Sequence, residues 1–317
     1  MPEFRERVWG TRDLRPVYTR VVGKEPIGEV WLTGDECKVA NGPLAGTTLG
    51  ELCTRHGREL VGDVAPDANR FPLLIKYLFP REKLSVQVHP DDEGARKIGV
   101  PCGKTECWYV ARAMAGAQVG LGLKPGTTHE QFEKAIRNNT AEHLLNWIDV
   151  KNGDMIYVDA GTVHAIGPNS ILIEAQQNSD TTYRLYDYGR GRELHVEQGL
   201  AAMRETTGAG TVEAREVDGR QLLLASPYFV VEKFQAREPA TFTAKAGPST
   251  AQVLVASEGC AIVECDGSQP VSFNQGEAVV IPATVKRYTI RPQWTVEILR
   301  MMVPTENPGA PVARIPR

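Results

Sequence analysis

Short apolar or alternating runs, punctuated by Gly, Pro, Asp and Asn, recur along the whole chain. This pattern predicts a mainly β protein. Strands are expected over Leu73–Phe79, Leu84–His89, Glu106–Ala111, Met155–Val158, Ile171–Ala175 and Thr182–Tyr188. The C-terminal third continues with Tyr228–Lys233, Gln252–Ser257, Ala261–Glu264, Ala278–Ile281 and Thr295–Met301. Two segments carry helical spacing instead. In Thr47–Leu60 the residues Leu49, Leu52, Cys53, His56 and Leu60 fall on one face. Thr128–Ile148 opens on Thr128 and Gln131, a capping-box pair, and Asn138-Asn139 is expected to divide it into two short helices. The polar stretch Glu205–Gly219 reads as the passage between two domains, 1–215 and 216–317.

An internal repeat supports two related modules. Gly153-Asp154 is followed by Asp159, Gly161 and His164, and Gly276-Glu277 is followed at the same offsets by Pro282, Thr284 and Arg287. Each copy reads as turn, apolar strand, turn, then an inward side chain. The second copy ends on an arginine, which has no lone pair to give a metal. The C-terminal module is therefore expected to lack a metal site.

The polar positions inside these runs carry the chemistry. Along Leu84–His89, Leu84, Val86 and Val88 face one way and Ser85, Gln87 and His89 the other. Lys104 and Glu106 share a face of the next strand, and His164 sits among Thr162, Val163, Ala165 and Ile166 between glycines. Taken singly, these are a solvated edge strand, a surface ion pair and a core histidine. Together, Gln87, His89, Glu106 and His164 supply an amide oxygen, two imidazoles and one carboxylate. That set suits Zn²⁺, with Fe²⁺ or Mn²⁺ as alternatives. Glu174 lies inside an apolar run, where an unpaired carboxylate is costly, and Arg184 lies in the aromatic run Tyr183–Tyr188, followed by Arg190. They read either as a buried ion pair or as a catalytic carboxylate with a phosphate-binding arginine.

Composition narrows the partners. Lys and Arg total 36 and Asp and Glu 39, a net charge of −3. That balance excludes a nucleic-acid binder of the basic kind, so an anionic ligand needs a local cluster of cations. The charged start Met1-Pro-Glu-Phe-Arg-Glu-Arg7 is no signal peptide, and no apolar run reaches the roughly 20 residues of a membrane span. The six cysteines form no CxxC pair, which fits reduced thiols and a cytoplasmic location.

The stretches Val8–Leu14, Gly28–Trp31, Val39–Gly46, Leu84–Asp92, Gly103–Trp108, Gly161–Gly167 and Glu174–Gly191 resemble, in order, the type I mannose-6-phosphate isomerases in their shorter bacterial form. The resemblance implies two cupin (jelly-roll β-barrel) modules with a small helical insertion. It implies a phosphorylated hexose as substrate and a metal-assisted interconversion of mannose 6-phosphate and fructose 6-phosphate through a cis-enediol. It puts Gln87, His89, Glu106 and His164 on the zinc ligands, Arg184 on the active-site arginine and Glu174 on the proposed base. Ser85 and Lys104 fall close to substrate, and Arg190 stands where longer relatives have a lysine. The chain departs from the usual cupin pattern at Asp159, where a proline is expected. The rival readings are an iron-dependent cupin dioxygenase and a non-catalytic sugar-binding cupin. Oligomeric state is not legible in the sequence.

Overall fold

The computed structural model describes residues 1–19, 23–243, 247–309 and 311–314. Its first twelve strands are β1 (Glu3–Thr11), β2 (Ile27–Trp31), β3 (Leu73–Leu78), β4 (Val86–Val88), β5 (Glu106–Ala113), β6 (Gln118–Leu123), β7 (Leu145–Asp149), β8 (Met155–Val158), β9 (His164–Ile166), β10 (Ser170–Gln177), β11 (Tyr183–Tyr186) and β12 (Gly210–Val212). Eleven follow: β13 (Arg215–Val217), β14 (Arg220–Ala225), β15 (Val230–Ala236), β16 (Ala240–Thr243), β17 (Gln252–Glu258), β18 (Cys260–Cys265), β19 (Val271–Asn274), β20 (Ala278–Ile281), β21 (Arg287–Pro292), β22 (Val296–Met302) and β23 (Ala313–Arg314). The helices are α1 (Leu49–His56), α2 (Arg58–Val61), α3 (Asp92–Lys97), α4 (His129–Arg137) and α5 (Val196–Ala202).

These strands form four antiparallel sheets. A large sheet runs β1-β2-β3-β10-β5-β8-β12-β23 and faces a small one, β11-β4-β9-β6-β7. The C-terminal half repeats the scheme with β13-β14-β15-β22-β17-β20 against β16-β21-β18-β19. Alternation decides what each face meets. In the first pair, Leu78, Trp108, Val110, Ile156 and Leu172 of the large sheet pack onto Val119, Leu121, Ile148 and Ile166 of the small one. The odd-numbered neighbours Ile75, Tyr77, Tyr109, Ile171 and Ile173 point the other way. There they join Val231, Val253, Leu299 and Met301, so the two large sheets lie back to back. Val86 and Val88, fully buried on the outer face of β4, are covered by Phe132 and Ile136 of α4 and by Leu185 and Met203.

The structure corrects the sequence reading in three places. Leu145–Asp149 is strand β7, not the second half of a helix, because it pairs with β6 from Gln118↔Asp149 to Leu123↔Leu145. Only Ala141–Leu144 of that half is helical, as one 3-10 turn after Asn139 takes a φ of 57°. The Glu205–Gly219 passage contains β12, which extends the first large sheet through β8, and β13, which opens the second. Helices α3 and α5 carry no apolar periodicity long enough to announce them. In the repeat, both copies pass from a large-sheet strand (β8, β20) to a small-sheet strand (β9, β21) that begins at His164 or at Arg287. His164 is buried and Arg287 exposed.

Candidate active site

Three electron-pair donors converge between the first two sheets. The small sheet brings His89, just beyond β4, and His164, whose backbone pairs with Gln87. The large sheet brings Glu106 at the start of β5, beside Val158 and Gln176. One ligand atom from each of His89, Glu106 and His164 lies within 4.8 Å of the others, and all three residues are buried. Both imidazoles are set in the same tautomer. His89 Nδ1 lies 2.9 Å from Thr181 O and His164 Nδ1 2.9 Å from Thr162 O. A carbonyl only accepts, so each Nδ1 carries the hydrogen and each Nε2 keeps its lone pair for the interior. Glu106 Oε2 is 3.4 Å from His89 Nε2 and Oε1 is 3.3 Å from His164 Nε2.

Lone pairs that face lone pairs call for a cation. Glu106 Oε1 is buried without a hydrogen-bond partner. The Lys104 ammonium contacts Glu106 Oε2 and lies 3.0 Å from His89 Nε2, and it is the positive charge these donors meet. Burial, together with the Lys104 charge, holds the His89 imidazolium down to about 3. Burial also lowers His164. For Glu106 the cost of burial is outweighed by Lys104 and the two histidines, which keep it well below the carboxylate range. Two neutral imidazoles and one carboxylate are the protonation states a divalent metal needs. Gln87 joins from the same strand face: its side-chain amide is 3.1 Å from His164 Nε2 and accepts from Ser85 Oγ at 3.2 Å. Turning that amide over brings its oxygen to the cluster and leaves its NH₂ to Ser85. Gly103 lets the strand start here, since a Cβ on it would sit 2.5 Å from the Asp91 carbonyl carbon.

Beside this cluster opens a cavity of about 420 Å³ whose walls include Ser85, Gln87, Lys104, Glu174, Arg184 and Lys76. Glu174, at the centre of β10, has Lys76 opposite it on β3 and Trp108 opposite it on β5. Its carboxylate takes a 2.8 Å ion pair from Lys76 and a 2.9 Å hydrogen bond from Trp108 Nε1. Burial raises its carboxyl above the ordinary range and the Glu106 charge adds to this, against the pull of Lys76. That moves it toward the working range of a general base. Lys76 stays protonated: burial opposes its charge, but Glu174 and Glu29 outweigh burial. The Arg184 backbone pairs with Gln87 across β11 and β4, and its Nη1 donates to Glu193 O at 2.7 Å.

Residues 2–115 match the model of the phosphomannose isomerase type I catalytic domain. Along almost its whole length the chain is similar to curated proteins. It is 36% identical to the probable mannose-6-phosphate isomerase GmuF of Bacillus subtilis, over 91% of this chain and 94% of that one. With the mannose-6-phosphate isomerase of Streptococcus mutans it shares 34% identity, over 90% and 92% of the two chains. The chain belongs to the mannose-6-phosphate isomerase family. Its structure overlays on the crystal structure of the Bacillus subtilis mannose 6-phosphate isomerase with a TM-score of 0.83 at 30% identity, covering 94% of this chain and 98% of the other. The cupin architecture follows from that match.

As a mannose-6-phosphate isomerase family member, the chain shows which expected site residues meet. His89, Glu106 and His164 form the cluster, and Ser85, Gln87, Lys104, Glu174 and Arg184 line the cavity. Arg190 is the exception. It does not line the cavity; its Nε donates to Asp187 O and its Nη2 to Lys83 O and Asp187 Oδ1. Arg192, two residues on, lines the wall in its place. Tyr188, Gly189 and Gly191 all take positive φ, 54°, 75° and 73°; the first two lead into Arg190 and the third separates it from Arg192. Sequence reasoning also missed Lys76, Glu29 and Arg7. Lys76 sits at an even position of the apolar run Leu73–Leu78, a charged residue in a strand buried on both faces. That was the available signal.

Proposed function

We propose that the chain interconverts mannose 6-phosphate and fructose 6-phosphate by moving a proton between C1 and C2 of the open-chain sugar through a cis-enediol. The observation that supports this best is the conjunction of two inward Nε2 lone pairs, an unpaired Glu106 oxygen and a buried carboxylate, Glu174, on one cavity wall. Gln87, His89, Glu106 and His164 would hold one zinc ion, with Fe²⁺ or Mn²⁺ as alternatives suited to the same donors. Such an ion supplies Lewis-acid stabilisation of negative charge developing on substrate oxygens.

The chain's own groups do the rest. Glu174 takes the proton from one of the two carbons and returns it to the other, a service worth about 10²–10⁴ in rate. Trp108 Nε1 and Lys76 hold its two oxygens, so the carboxylate is aimed before substrate arrives. Lys104, buried at the cluster, donates toward the oxygen on which charge develops. Ser85 orients the Gln87 amide, and Arg184 holds the anionic substrate in the cavity. The deciding experiment couples mannose 6-phosphate turnover to fructose 6-phosphate consumption, with and without chelator. Turnover lost to chelator and restored by zinc is expected. Metal-loaded protein that leaves mannose 6-phosphate untouched rejects the reading.

A further inference from the structure

Three arginines from separate segments line the cavity: Arg7 on β1, Arg184 on β11 and Arg192 beyond β11. Arg184 carries an open valence. Its Nε is buried and has no partner, and among the described residues no carboxylate pairs with it. Burial lowers its guanidinium from the usual value, and Arg192 lowers it further, with Arg190 and Arg7 adding to that against Asp187. Positive charge gathered in a half-buried wall is costly until an anion arrives.

The other two are braced. Arg192 donates Nε to Asp187 Oδ2 at 2.8 Å and Nη2 to Oδ1 at 2.5 Å, and Asp187 is itself buried. Arg7 donates Nε and Nη2 to Glu29 at 3.1 and 3.0 Å, and Glu29 is held in turn by Trp31 Nε1 at 2.7 Å. In each case one edge of the guanidinium is clamped; Arg7 Nη1 also donates to Glu6 O at 3.1 Å, so of the five N–H hydrogens of an arginine two remain on Arg7 and three on Arg192. A planar fork fixed in this way is prepared for a phosphate oxygen pair, and little side-chain entropy remains to be lost. Arg190 has the opposite disposition: it braces Asp187 and the Lys83 carbonyl, outside the cavity wall.

We propose that Arg192 and Arg7, acting with Arg184, form the seat of the substrate phosphate, and that Arg190 is a positioning residue that braces Asp187 beneath Arg192. This rests on the isomerase reading for the identity of the substrate. It places the phosphate at the arginines and the reacting carbons at the His89–Glu106–His164 cluster. Glu29 then ties the two ends together, because it pairs with Arg7 and lies 3.8 Å from Lys76, the partner of Glu174.

The test titrates inorganic phosphate calorimetrically into metal-loaded protein and measures KM for mannose 6-phosphate in the same preparations. Arg192→Gln and Arg190→Gln each remove one brace from Asp187, so the second variant reports damage to the loop alone. Arg192→Gln is expected to weaken phosphate binding and raise KM by tenfold or more beyond Arg190→Gln, with metal content unchanged. Phosphate affinity of Arg192→Gln within twofold of the parent, or an equal loss in Arg190→Gln, overturns the seat. If Arg192→Gln does not fold, Arg7→Gln, on a different strand, carries the same expectation and the same refutation. Phosphate binding that follows this order in a protein without isomerase activity keeps the seat and rejects the reaction. Isomerisation with unaltered KM in both Arg192→Gln and Arg7→Gln does the reverse.

Discussion

His89 and His164 owe their orientation to two backbone carbonyls, Thr181 O and Thr162 O, and not to one another. The donor set is thus prepared before any metal arrives, and loss of one imidazole removes a lone pair that nothing else nearby supplies. His89→Ala or His164→Ala is expected to abolish both metal content and turnover; full metal by elemental analysis in either variant would exclude these ligands. Glu174 stands apart from that set, since its oxygens are held by Lys76 and Trp108. Glu174→Gln should therefore keep metal and substrate binding while kcat falls by about 10² or more. Product formed in deuterated water should carry solvent hydrogen. Complete intramolecular retention under slow turnover would favour a hydride shift. Arg184→Ala should lower kcat/KM by at least about tenfold with metal retained, the cost of losing a charge-assisted contact of roughly 1.5–3 kcal/mol. An unchanged kcat/KM would assign Arg184 to structure alone.

Among the elements, β11 and α5 work as a unit. The Arg184 backbone pairs with Gln87 on one side; on the other, His195, at the N-terminal end of α5, donates its backbone N–H to Arg184 O at 2.7 Å and accepts the Arg184 N–H on its ring Nδ1 at 3.3 Å. Gly199 allows α5 to lie on this strand: a Cβ there would meet Leu185 Cδ2 at 2.4 Å, and Leu185 is fully buried. Gly199→Ala is expected to cost about 1–3 kcal/mol through overpacking and to raise KM by displacing β11, since the outer face of the small sheet has no slack. Denaturant unfolding with an unshifted midpoint would show that the helix yields instead of the strand. The capping boxes at Thr48 with Glu51 and at Thr128 with Gln131 are both formed, so local sequence sets where α1 and α4 begin. The 145–149 segment shows the limit of that logic. Its apolar spacing suits a helix, and the exposed edge of β6 decides otherwise by offering a ladder of backbone hydrogen bonds.

For the molecule as a whole, the two halves are joined by more than chain connectivity. Tyr77 OH donates to Ala256 O at 3.2 Å and Tyr109 OH to Glu297 Oε1 at 2.8 Å across the back-to-back sheets, and Tyr18 OH, from the loop after β1, donates to Gly276 O in the turn before β20 at 2.5 Å. The β23 strand then returns to pair with β12 of the first large sheet. We assign the reaction to 1–215 and a covering role to 216–317, in which Arg287 takes the place that His164 holds in the first repeat. One metal ion per chain is accordingly expected, and a crystal structure with a metal inside 216–317 would contradict this. A chain cut at 215 should aggregate, because it would leave the apolar outer face of its large sheet in water; a soluble, cooperatively folding 1–215 fragment would show the halves to be independent.

What the sequence determined by itself is local or a matter of residue type. Strand runs appear as period-two alternation, helix starts as capping residues, and the Gln87, His89, Glu106 and His164 donors by the chemistry their atoms can do. Those properties survive whatever the chain does elsewhere. Tertiary structure alone decided everything that depends on who lies opposite whom. Glu174 meets Lys76 and Trp108 through strands about a hundred and about seventy residues away, a register that no local pattern encodes. The choice of Arg192 over Arg190 rests on a loop with positive φ at Tyr188, Gly189 and Gly191, and glycine permits such turns without dictating their direction. Of the cavity's cations, Lys104 and Arg184 were legible in the sequence, but Lys76, Arg7 and Arg192 are legible only after folding, because a net charge of −3 says nothing about where a handful of cations will be gathered.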